Sequence, residues 1–276
     1  MQRALATRFG RYDSTRGNAP LADDALRAIA PSIFAEQAHE SRSARYAYIP
    51  TSEVLTGLRK EGFEPFFAAQ SVARDESKRE HTKHMVRLRH ASQINGTEAN
   101  EIILVNSHDG TSAYQMLAGQ FRFVCANGMI CGDVESDLRV PHKGNVVGRV
   151  IEGAFEVLDG FTRVVEQREG MKALALNDGE QTAFARAALA LKYDTEAAPA
   201  PVTERQVLEA HRHADTGADL WSTFNRAQEN LVRGGMVART ANGRRVRTRA
   251  VTSIDTGIKL NRALWTLAEE MRRLKA

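Results

Sequence analysis

Between Phe63 and Val124 the chain places short apolar segments between turn signals, and few folds accept that pattern. Lys83 to Ala91 alternates strictly. His84, Val86, Leu88 and His90 face one way, and Lys83, Met85, Arg87 and Arg89 face the other. A period of two is that of a strand with two unlike faces, here one of them basic and expected to face outward. Phe63 to Val72 reads as a strand rich in Phe and small residues. Ile102 to Val105 is a short apolar run, ended by the turn cluster Asn106-Ser107-His108-Asp109-Gly110. In Tyr114 to Val124, Gln120, Arg122 and Val124 alternate with Phe121, Phe123 and Cys125. Successive strands joined by short turns imply an antiparallel meander.

Helical periods flank this region. Thr51 or Ser52 can cap a helix over residues 53–60, with Val54, Leu55 and Leu58 as its apolar side and Gly62 as its stop. Val147, Val150, Ile151, Ala154, Leu158, Phe161 and Val165 fall at helical spacing over about five turns. Asp178 with Gln181, and Thr203 with Gln206, resemble capping boxes that open helices to about Tyr193 and Arg212. Asp219 starts a helix through Leu231, ended by Gly234-Gly235. Leu260, Leu264, Leu267, Met271 and Leu274 make one stripe on a final helix. The spacing therefore predicts an α+β protein, an antiparallel β-meander backed by a long helix and followed by a helical C-terminal region. Residues 1–45 form an N-terminal arm with a short helix, 46–195 the core domain, and 202–276 the helical region. The Pro-containing stretch Glu196 to Pro201 is the linker between the last two.

Of the 276 residues 42% are hydrophobic, enough for a sizeable core. No apolar run approaches the ~20 residues of a membrane span, and the basic N-terminus lacks the apolar stretch of a signal peptide. A cytosolic protein without membrane contact is expected. Cys125 and Cys131 are expected to be free buried thiols, since their spacing is not a zinc pattern. No P-loop, dinucleotide fingerprint, zinc-protease motif or nucleophile elbow occurs, so no catalytic residue, metal or cofactor is assigned. The adjacent His39 and Glu40 point to opposite faces of an extended segment and cannot act on one atom.

The formal net charge of +4 is too small to argue a partner, but its placement is informative. From Arg233 to Arg249 there are six arginines and no acidic residue. Alternating arginines on an extended ribbon can track a phosphate backbone, and aromatics near such a groove can stack bases. The candidate nucleic-acid contacts are Lys83, Arg87, Arg89 and Arg122 around the meander, and Arg244, Arg245, Arg247 and Arg249 near the C-terminus. Phe121 and Phe123 read as core packing before they read as stacking platforms.

Three segments carry a resemblance: HESRSARYAYIPTSEVL, LVNSHDGTSAYQMLAGQFRFVCANGMICGD and ANGRRVRTRAVTSIDTGIKLNRALWTLAEEMRRL. Together they resemble the DUF932 family of plasmid- and phage-like proteins, whose name is that of a domain of unknown function. The resemblance implies carriage by mobile elements and supplies no catalytic residues. The order of elements from Thr51 to Val165 is also similar to single-strand annealing proteins of the Rad52 type. In those proteins single-stranded DNA lies in a basic groove of a ring, which by analogy would use Lys83, Arg87, Arg89 and Arg122. The leading expectation is a non-enzymatic, homo-oligomeric protein that binds single-stranded DNA and promotes annealing or recombination. The alternatives are an interaction or replication-accessory factor docking a host protein through the terminal leucine stripe, and a metal-dependent nuclease using Asp133, Glu135 or Asp137.

Overall fold

The computed structural model describes all residues except 1–4, 10–11, 18, 42–47, 49, 74, 96–97, 123–126, 132–137, 141–145, 241–242 and 276. Cys125, Phe123, Asp133, Glu135 and Asp137 lie outside the described residues. The chain is α+β and divides into two compact units. The first draws on residues 1–129, 134–161 and 252–254, and the second on 130–133, 162–251 and 255–276.

In the first unit β1 (Leu5–Phe9) and β2 (Tyr12–Arg16) precede α1 (Asp23–Ile29) and a 3₁₀ turn, Pro31–Phe34. Then come α2 (Thr51–Lys60), β3 (Phe63–Ser71), β4 (His84–His90), the two-residue β5 (Ile94–Asn95), β6 (Glu98–Asn106) and β7 (Tyr114–Arg122). β8 (Asn127–Ile130), β9 (Leu138–Val140) and α3 (Val146–Asp159) complete it. These nine strands share one sheet in the order β1-β2-β3-β4-β6-β7-β8, with β5 on β6 and β9 on β7. The pairings from β1 to β7, and that of β9 with β7, are antiparallel, as a meander with short connections requires.

Register decides the faces. Leu88 lies opposite Ile102 and Val86 opposite Leu104, and on the next strand Ile102 pairs Ala118 and Leu104 pairs Met116. Helices α1, α2 and α3 pack against this sheet, and Val54, Leu55 and Leu58 of α2 are buried as the period requires. Gly62, at φ 87, ends α2 in the left-handed region, with the His90 ring against the place a Cβ would occupy. α2 begins at Thr51 itself. No hydroxyl caps it, because the Thr51 side chain turns inward to His84.

That inward turn belongs to a directional chain of hydrogen bonds in the core. The Gln70 amide is oriented by donating Nε2–H to the Arg79 carbonyl (2.8 Å) and accepting the Ser32 backbone N–H (2.9 Å) at Oε1. Oε1 can only accept, so the Ser32 hydroxyl donates to it at 2.6 Å. Ser32 Oγ then accepts from His84 Nδ1 at 2.8 Å, and the Thr82 carbonyl at 3.3 Å confirms the proton on that nitrogen. His84 Nε2 is left as an acceptor for the Thr51 hydroxyl at 3.0 Å. Thr51 Oγ1 in turn accepts from Asn106 Nδ2 at 3.0 Å and faces His108 Nε2 at 3.5 Å. Ser32, Thr51, His84, Asn106 and His108 are all fully buried. The 3₁₀ turn and α2 are thereby tied to β3, β4 and β6.

α3 and α4 (Phe161–Ala173) are two helices where the periodicity reads one. The break is at Gly160, the low-propensity position in that run. The second unit continues with α5 (Asp178–Lys192), α6 (Glu204–Val207) and α7 (Leu220–Arg233). The ribbon β10 (Val237–Arg239) and β11 (Arg245–Arg247) and then α8 (Ile254–Lys275) complete the chain. The α5 capping box is Asn177 with Glu180, one residue before the pair read from the sequence. The Thr203–Gln206 box forms as expected, but α6 ends at Val207 rather than near Arg212. Asn230 takes the Val207 and Glu209 carbonyls (both 2.9 Å), a tertiary partner that replaces further helix bonds. α7 is the axis of this unit, with every residue from Leu220 to Leu231 buried. Trp221, Phe224 and Trp265 pack edge-to-face or stacked with centroids 5.6 to 6.3 Å apart. On α8 the buried face centres on Leu264, Trp265 and Ala268, while Leu274 of the leucine stripe is exposed. Among the described residues no helix is long and apolar enough to cross a membrane.

Burial first, and then the neighbouring His108, pull the His84 pKa from 6.5 to about 3. The folded pKa lies below the unfolded one, so the folded state favours the neutral ring. The stability this confers is full above pH 6.5 and is lost as pH falls toward 3. In urea unfolding, the pH-dependent loss from this ring should approach about 1.4 kcal/mol per pH unit across that window. The gap in unfolding free energy between wild type and His84→Gln should therefore narrow on acidification, and a gap constant with pH would refute the assignment.

Candidate nucleic-acid interface

The eight basic residues singled out in the sequence fall into two groups with opposite surroundings. Arg87 and Arg89 do lie on the face of β4 opposite His84, but that face is interior, and both residues are buried. Both bond one carboxylate. Arg87 Nε donates to Glu101 Oε2 at 2.5 Å and Arg89 Nε to Glu101 Oε1 at 2.8 Å, with Glu101 itself 1% exposed. Arg87 Nη2 also donates to the Met129 carbonyl at 2.7 Å. The Arg89 guanidinium lies between the Phe66 and Phe121 rings, 4.3 and 4.1 Å from their centroids. Arg16 covers the Phe121 ring at 4.8 Å and the Phe67 ring at 5.3 Å, so side chains from β2, β3 and β7 meet. A twisted sheet curling on itself brings such distant strands together.

The expected open basic face is thus corrected to a packed ionic interior. The register explains it. Ile102 stands opposite Leu88, which places Glu101, the next residue on β6, within reach of both arginines. Gly119 leaves Arg87 room, since a Cβ there would come within 2.9 Å of Arg87 Nη2 and 2.6 Å of Ile103 Cδ1. Arg122 is also buried, 3.9 Å from Glu98, its cross-strand partner. Lys83 is half-buried beside the start of β4. Phe121 is core, as expected, and Arg87, Arg89 and Arg122 are structural in this geometry.

The histidines converge without forming a site open to a ligand. The His84 and His108 rings are 5.3 Å apart, those of His39 and His81 5.2 Å, and Tyr48 packs on His108 at 4.9 Å. His39 bonds the Ser41 hydroxyl at 2.9 Å, and Glu40 is exposed. The Tyr114 hydroxyl approaches Thr51 but completes no well-formed hydrogen bond, and burial raises its pKa. Ser32, Thr51, His84 and His108 are fully buried. Among the described residues no group of three or more His, Cys, Asp or Glu is arranged to hold a metal.

The C-terminal arginines are different. β10 and β11 pair antiparallel, with Val237 opposite Arg247, Ala238 opposite Val246 and Arg239 opposite Arg245. Cross-strand partners share a face, as do residues two apart. Arg239, Arg245 and Arg247 therefore project from one side of the ribbon, beside the exposed Val237. Ala238, on the other side, is 2% exposed and anchors the ribbon inward. Arg244 and Arg249 are exposed at the two ends of β11. None of these five arginines has a carboxylate partner among the described residues. Gly243, at φ 74, permits the turn between the strands. Arg239 completes the face, and its place depends on a hairpin register that composition does not show.

A family model described as a domain of unknown function, DUF932, matches residues 38–265. Two proteins of Escherichia coli K12, UPF0380 protein YfjQ and UPF0380 protein YafZ, are each 53% identical to the chain over 267 residues. Each alignment covers 97% of this chain and 97% of the relative. No solved structure matches the chain.

The two arginine groups should respond oppositely to mutation. Glu101→Ala strands Arg87 and Arg89 without their carboxylate and should cost about 3–5 kcal/mol in urea unfolding. Arg245→Ala or Arg247→Ala should stay within about 0.5 kcal/mol of wild type. Equal effects would overturn the division.

Proposed function

The chain belongs to the DUF932 family, and from its arginine ribbon we propose that it binds nucleic acid, foremost single-stranded DNA, through its phosphates. One observation carries this reading. Arg239 and Arg245 face each other directly across the ribbon, with Arg247 beside them and no carboxylate to offset the charge among the described residues. Like charges directly opposite destabilise a strand pair, so the arrangement costs stability unless an anion sits between them. Arg245 and Arg247 are about 6.6–6.8 Å apart along the strand, a spacing suited to successive phosphates of an extended strand.

The mode of binding follows from the side chains present. Arginine–phosphate pairing gives affinity through counterion release and carries little base information. α7 is buried from Leu220 to Leu231 and has no face free to enter a DNA groove, so this helix does not read base edges. A homo-oligomer presenting several ribbons to one strand would add avidity, and strand annealing is the finer form of the same activity.

The test is a gel-shift titration with a labelled oligonucleotide of about 40 nucleotides across a salt series. The triple variant Arg239→Ala, Arg245→Ala, Arg247→Ala should weaken binding at least about tenfold on unrelated sequences alike. It should also flatten the slope of log K against log salt by about 0.7 for each phosphate no longer neutralised. Arg273→Ala removes an arginine paired with Glu270 on α8 and should leave binding unchanged. Absence of binding by folded wild-type protein at low salt would sink the proposal.

A further inference from the structure

The ribbon projects its arginines only if its base is held, and the geometry points to Lys192 as the residue that positions it. Lys192 is the last residue of α5. Its ammonium donates to the Leu231 carbonyl in the last turn of α7 and to the Arg249 carbonyl at 3.2 Å, where the chain leaves the ribbon. One charged group thus joins three segments of the second unit: α5, the end of α7 and the exit of β11.

Several features show that this junction is built. Burial lowers the Lys192 pKa to about 8, yet no carboxylate pairs with it among the described residues. Its compensation comes from two carbonyl oxygens, one of them Leu231 at the negative end of α7, a favourable place for a cation. Gly234, at φ 67, lies against the same segment. A Cβ there would meet the Arg249 carbonyl carbon at 2.6 Å and the Ala250 nitrogen at 2.7 Å. The backbone of the exit strand is therefore pressed onto Gly234 on one side and tied by Lys192. Beyond it the Gly235 N–H donates to the Thr248 carbonyl and the Thr248 N–H to the Met236 carbonyl, both at 2.9 Å. These bonds set the register that puts Arg239 opposite Arg245. β10 has separate anchors, since Gln206 Nε2 donates to the Val237 carbonyl at 2.7 Å and Arg239 N–H to the Pro201 carbonyl at 3.3 Å. β11 is held by Arg247 Nη1 on the Gly235 carbonyl at 2.8 Å, its exit by the Val251 N–H on the Val232 carbonyl at 2.8 Å, and Lys192 adds the one ammonium at that exit.

We propose that the Lys192 ammonium holds β11 in register and so presents the arginine face without touching the nucleic acid. Its effect on affinity rests on the nucleic-acid reading above; its effect on the ribbon does not. Amide hydrogen exchange on the full chain, free of nucleic acid, tests the second directly. Lys192→Met should accelerate exchange at Gly235 and Thr248 by about tenfold or more, the scale of one charge-assisted hydrogen bond. The buried amides of α7 should be unaffected, and Lys192→Arg should restore slow exchange. Unchanged exchange at both ribbon amides, or equal acceleration throughout α7, overturns the proposal, and Lys192→Gln gives an independent reading if the Met variant folds poorly. In the gel-shift series Lys192→Met should lower affinity severalfold with the salt slope unchanged. A slope reduced by about 0.7 would mean that Lys192 itself neutralises a phosphate and also overturn the positioning role. If wild type binds no oligonucleotide, the nucleic-acid reading fails while the exchange result still decides the role of Lys192.

Discussion

The first unit depends on a neutral histidine. His84 bridges the hydroxyls of Ser32 and Thr51, and the chain through it runs from Asn106 to Gln70 with every donor assigned. Buried polar groups are costly when unpaired, so the hydrogen bonds along this chain favour one arrangement of the elements that carry it. Here those elements are the 3₁₀ turn, the start of α2 and three central strands. A second proton on His84 would turn its one acceptor into a donor facing Thr51 Oγ1, already met by Asn106 and His108. The network is therefore both a fastener and the acid-sensitive point of the core.

The same residue type serves the two units differently. Glu101 holds Arg87 and Arg89 in the curled interior of the sheet, where a buried cation needs a carboxylate partner. On the ribbon, Arg239, Arg245 and Arg247 stand exposed with no such partner among the described residues, and Arg247 and Arg239 reach only the Gly235 and Gly243 carbonyls. What separates structural from candidate binding arginines is the neighbouring strand. A carboxylate on β6 internalises one pair, and a third arginine across on β10 leaves the other set in excess.

Much of this architecture is legible in the sequence. The period-two pattern of Lys83 to Ala91 assigns both faces of β4, and the Gly stops at 62 and 234–235 end the helices that precede them. Strand alternation shows which residues share a face and not whether that face meets water. Arg87 and Arg89 read as an outer surface because Glu101 is distant in sequence and nothing local pairs them. The Thr51 hydroxyl reads as a helix cap because its partner, His84, lies 33 positions away. The α6 helix stops early because Asn230, 23 positions on, takes the Val207 carbonyl.

By itself the sequence determined the α+β class, the antiparallel meander from Phe63 to Arg122, the glycine-marked ends of α2 and α7, and the caps at Thr203 and Asp219. These rest on backbone preferences and local periodicity, which act over a few residues. The charged and polar residues were assigned only by tertiary structure: which arginines are neutralised, which histidine is locked in one tautomer, and which lysine ties the ribbon. Those outcomes depend on desolvation and on partners across the strand register, and both exist only once distant segments meet.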